Sequence, residues 1–157
     1  MKRRTGRELA VQSLYHLEMN KVPDDRAVDA ILEETMNKEE QPDPEKMTEV
    51  DAETARYVRA LVRGVNENRE LLDSLLVEFL KGWKMDRLSR VDRQILRLAA
   101  FELVVEAETP PKVAVNEAIE LAKHFGTDES GKFVNGVLGQ MIKKLDELKA
   151  KAAQEKV

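Results

Sequence analysis

Cysteine is absent from the 157 residues, which removes a disulfide framework, a cysteine-ligated metal site and a thiol nucleophile together. Glycine and proline are sparse, at seven and five, and no alternating apolar run accompanies them, so the sequence offers little to a sheet. No apolar run approaches the roughly 20 residues of a membrane span. The basic N-terminus is followed by no apolar segment, so it does not read as a secretory signal, and a cytoplasmic location is expected. Catalytic patterns are missing as well. There is no Gly-x-Ser-x-Gly elbow, and the two histidines, His16 and His124, lack a partner at metal-binding spacing. No catalytic residue, metal or cofactor is expected, and a binding module is the better class.

What is present is helical periodicity, in a chain that is 42% hydrophobic and 36% charged. The pattern predicts an all-α fold of six or seven helices around one core, as a single domain over residues 1–149 with a basic N-terminal tail. Residues 150–157, rich in alanine and lysine, are expected to fray. A first helix opens at a Thr5–Glu8 capping box, with Leu9, Ala10, Ser13, Leu14 and Leu17 inward and Val11 and Tyr15 as a second strip. A second helix follows Asp24. The stretch from Asn37 to Glu53, polar with Pro42 and Pro44, reads as a loop. A Thr48–Asp51 box opens the next helix, which continues to Phe79 with a bend near Asn66–Asn68 and ends at Gly82-Trp83. Ser89 and Asp92 cap a helix whose apolar residues nearly encircle it, from Val91 to Leu103, so it is expected to be the most buried. Thr109 is expected to cap the helix that begins at the two prolines after it.

The net charge of −4 conceals an asymmetry. Lys2, Arg3, Arg4 and Arg7 lie within the first seven residues with no acid among them, leaving a balance of −8 for the rest. A chain this acidic repels nucleic acid on average, so any binding must be local. The cluster is either a solvated tail or that local site.

The stretch Asn116–Gly139 reads as helix, polar turn, helix. Gly126 is expected to stop the first in a left-handed C-cap, and Asp128 or Ser130 to cap the second. Gly126–Lys132 fits G-x-x-x-x-G-K, but Phe133 stands where a phosphate loop needs Ser or Thr. The preceding residues are helical, and Asp128 and Glu129 would repel phosphate; the nucleotide reading fails. Phe133 itself is either a core residue or, beside Lys132, a platform for an unstacked base.

Three blocks in order resemble the NusB family of bacterial transcription antitermination factors. They are Arg7–Tyr15 after the basic start, Val91–Ala99, and Pro111–Ala118 with Lys132–Leu138. The resemblance implies a protein that binds boxA RNA with NusE, a small-subunit ribosomal protein, within the RNA polymerase antitermination complex that supports rRNA synthesis. It assigns RNA contacts to Arg3, Arg4, Arg7, Lys132, Phe133 and Asn135, with Arg97 a further candidate; Lys2 joins them as a cation of the same N-terminal cluster. Partner contacts fall on Tyr15 and Asp92, with Val11 beside Tyr15; Asp92 stands where the family often has Glu, and it also reads as a cap residue. Two other readings are a homodimeric structural module and a detached RNA-binding domain of the rRNA methyltransferase type. The second lacks the cysteine that such an enzyme needs.

Overall fold

The computed structural model describes residues 2–37 and 50–155. Most of the expected Asn37–Glu53 loop, with Thr48, lies outside the described residues, as do Met1, Lys156 and Val157. The described chain is all-helical, with eight α-helices, and divides into two compact units between Asn66 and Glu67.

The first unit holds α1 (Arg3–Asn20), α2 (Asp24–Asn37) and all but the last residue of α3 (Ala52–Glu67). Helix α1 begins two residues before the expected Thr5 cap. Lys2 is its N-cap and makes no side-chain cap bond. The Lys2 backbone N–H donates instead to the Thr54 hydroxyl at 3.4 Å, which anchors the first turn to the start of α3. The basic tail is therefore a helical turn. Leu9, Ala10, Ser13 and Leu14 are buried as the periodicity predicts, but so is Val11, at 1% exposure. Asp25 and Asp29 of α2 pair with Arg59 and Arg63 of α3 along an exposed edge. Gly6 leaves room for the Tyr57 ring of α3 to lie against α1: a Cβ there would stand 2.5 Å from that ring.

Asp51 begins α3 by accepting the Thr54 N–H at 2.6 Å. The Thr54 hydroxyl, and then this backbone bond, hold the Asp51 carboxyl below its usual range.

The second unit begins with α4 (Arg69–Leu76), separated from α3 by a break at Asn68, where a bend is expected. A 3₁₀ turn over Val77–Phe79 follows, then Lys81 and Gly82 in the left-handed region, at φ 50° and 90°. A second 3₁₀ turn, Met85–Arg87, leads to α5 (Arg90–Ala100). The Ser89 hydroxyl caps α5 by accepting the Asp92 N–H at 3.1 Å, as predicted. Every residue of α5 from Arg93 onward is buried, and the helix packs against α4, α6 and α7. It runs on into a π-helical segment, Phe101–Glu106, closed by the Ala107 N–H on the Glu102 carbonyl at 3.1 Å.

Three further expected caps differ. Pro110, not Thr109, is the N-cap of α6 (Pro111–Phe125). Thr127 caps α7 (Asp128–Lys143), its hydroxyl accepting the Ser130 N–H at 3.3 Å. Gly126 is not left-handed; its φ is −121°. Space is what requires glycine there, since a Cβ would lie 2.6 Å from Ser130 Oγ and 2.9 Å from the Ala122 carbonyl. Where fraying is expected, from residue 150, the chain instead stays helical through Glu155. Helix α8 (Leu145–Glu155) buries Leu148 and Ala152 and pairs Lys151 with Glu78 at 3.0 Å.

Two outcomes test this packing. Gly6→Ala should lower stability by about 1–3 kcal/mol through overpacking, whereas Gly139→Ala, with nothing within 4 Å of its Cβ, should raise it by about 0.5–1 kcal/mol; urea unfolding reads both. For Asp51, whose folded value lies below the unfolded one, stabilisation is complete at neutral pH and is lost as pH falls through the folded value. The gap in urea midpoint between wild type and Asp51→Ala should therefore be present at pH 7 and close in acid.

Candidate nucleic-acid interface

Helix α7 starts on the Thr127 cap, and its first turns set out the residues singled out in the sequence. Lys132 and Asn135 are exposed, while Phe133 is half-buried. Lys132 lies 3.5 Å from Glu129, but both side chains are at least three-quarters exposed, so the pair is weakly held. Gly131 lets α6 approach closely: the Lys123 stem passes 3.1 Å from where a Cβ would be. Lys123 thus joins Lys132, Asn135, Asp128 and Ile119 around an open cavity of about 410 Å³. Sequence reasoning does not find Lys123, since only the glycine-mediated approach of two helices brings it to α7.

Phe133 lines a different cavity, of about 230 Å³, with Trp83, Arg87, Leu88, Ser89 and Asp92. Asp92 is half-buried; its Oδ2 accepts a bond from the Ser130 hydroxyl at 3.4 Å, and its Oδ1 has no hydrogen-bond partner among the described residues. Periodicity marks Trp83 only as the end of a helix. The signal available for more is a lone tryptophan in a short charged turn beside a glycine.

The remaining candidates divide sharply. Lys2, Arg3 and Arg4 are exposed on the first turn of α1 in the first unit, but Arg7 is buried at 3% exposure. Arg97 is buried too, and its Nε and Nη2 donate to the two oxygens of Asp73 at 2.8 and 2.9 Å. This bidentate pair commits Arg97 to joining α5 to α4, so it is not on offer to a phosphate. Tyr15 is exposed, with Met19 one turn further along α1, whereas Val11 belongs to the buried face and offers a partner no surface. Among the described residues no group of His, Asp or Glu is placed to hold a metal ion, and no helix is long and apolar enough to cross a membrane.

An all-helical unit with a cationic, aromatic-bearing helix start is the class of molecule these features define. The chain belongs to the NusB family, whose family model matches residues 4–143. It is 41% identical over 145 residues to the transcription antitermination protein NusB of Symbiobacterium thermophilum, covering 91% of this chain and 90% of that protein. It is 41% identical over 141 residues to the protein of the same name from Bacillus subtilis, covering 90% and 95%. Among solved structures, a T. maritima NusB superposes with a TM-score of 0.77 at 35% identity, covering 92% of each chain. A complex of the antitermination factors NusB and NusE with double-stranded RNA matches with a TM-score of 0.76 at 25% identity, covering 90% of this chain and 96% of that one.

The Arg97–Asp73 pairing has a direct consequence. Asp73→Ala should cost about 3 kcal/mol by removing the bidentate carboxylate partner of a buried guanidinium, measured by thermal or urea unfolding.

Proposed function

We propose that this protein is a non-enzymatic antitermination factor of the cytoplasm. It binds boxA-like single-stranded RNA together with NusE and joins the RNA polymerase antitermination complex to promote rRNA transcription. The observation that carries the reading is the start of α7, where exposed Lys132 and Asn135 flank a half-buried Phe133 and Gly131 brings Lys123 alongside. Family membership supports it, as does the likeness to a NusB that was solved with NusE and RNA.

Lysines hold phosphates without reading sequence, and an aromatic face stacks on an unpaired base of any kind. Lys2, Arg3 and Arg4 add charge from the first turn of α1, and Arg7 and Arg97 are left out because both are buried. The NusE contact centres on Tyr15, with Met19 extending its apolar surface and half-buried Asp92 a further candidate, while Val11 is left out because it is buried. The match to NusB proteins over nine-tenths or more of their length favours this reading over a methyltransferase-associated domain.

Anisotropy of a labelled boxA RNA at several salt concentrations tests the assignment. Changing Lys2, Arg3 and Arg4 to glutamine should flatten the log K against log salt slope by about 2 if each engages one phosphate. Phe133→Ala should weaken binding by about 1–3 kcal/mol. An unchanged slope removes the α1 cations from the interface, and an unchanged affinity returns Phe133 to the core.

A further inference from the structure

We propose that the cavity between Trp83 and Phe133 is a pocket for one unstacked nucleobase, and that Trp83 is a second stacking residue for RNA. This deepens the RNA reading above and rests on it. Two aromatic side chains wall a single open cavity, with Leu88 as a further apolar surface. At about 230 Å³ it falls below the roughly 300–1,000 Å³ typical of drug-sized ligands, which suits a single ring system.

Charge decides which part of a nucleotide enters. The Asp92 carboxylate on the wall repels phosphate, so the base is the group admitted. Arg87, exposed and also on the wall, supplies the cation for a flanking phosphate. The turn that carries Trp83 is held in place. Lys81 and Gly82 adopt left-handed conformations, the Trp83 N–H donates to the Leu80 carbonyl at 3.1 Å, and Arg93 of α5 donates to the Met85 carbonyl at 3.1 Å. Trp83 nonetheless stays 57% exposed, a large apolar surface left to water on a fixed turn.

Trp83 is the only tryptophan in the chain, so its emission reports on the pocket directly. Titration with unlabelled boxA RNA should quench that emission in step with the binding seen by anisotropy. Trp83→Ala should weaken binding roughly 5- to 150-fold, the range for one base–aromatic stack, and Trp83→Phe should restore most of it. Circular dichroism checks that both variants fold. RNA that binds wild type and Trp83→Ala equally, with emission unchanged, overturns the pocket and leaves the RNA reading intact. Loss of NusE binding with RNA affinity unchanged assigns the pocket to protein and also overturns it. Absence of any RNA binding by wild type, with or without NusE, removes the RNA reading and the pocket together.

Discussion

A helix buried on every side has nowhere to put a charge, yet α5 carries Arg93 and Arg97 in the stretch where every residue is buried. Both are tolerated because each guanidinium meets an acceptor on a neighbouring segment. Arg97 takes both oxygens of Asp73 on α4, and Arg93 takes the Met85 carbonyl in the turn before α5. Desolvating a guanidinium is costly, so the arrangement is sharply specified: the partner must be in place or the charge is left stranded. Four residues apart, the two arginines lie on one face of α5 and fix the segments on either side of the Trp83 turn.

The order of elements is legible because helices announce themselves by periodicity. The encircling apolar pattern of Val91–Leu103 predicts burial, and the Ser89 cap forms as its spacing implies. Helix ends are less legible, since several hydroxyls and prolines compete within two or three residues. At Gly126 the pattern points to the right residue for the wrong reason: crowding by the Ser130 side chain and the Ala122 carbonyl, each four residues away, rather than a left-handed backbone, excludes a side chain. At Lys2 a bond to Thr54, 52 residues away, anchors the helix start, and no local rule contains it.

The candidate site divides in the same way. Lys132, Phe133 and Asn135 follow one another along α7, so one local motif reveals them. Val11 escapes a correct placement because periodicity gives a face without saying what covers it, while Arg97, a candidate by resemblance, lies in the helix that periodicity marks as buried. Trp83 and Lys123 stay hidden because each reaches its cavity from another element, one by a left-handed turn and the other across a glycine.

The π-helical segment Phe101–Glu106 gives α5 a built-in phase change. A turn closed from i to i+5 holds one residue more than an α-helical turn needs, so the wheel drawn for Arg90–Ala100 no longer applies beyond it. Each residue of an α-helix advances the azimuth by about 100°. Removing one residue here to restore regular α-helix would swing the exit of the segment by about that angle. A single surplus residue at the end of α5 thus sets the face of the helix from which the chain departs toward α6.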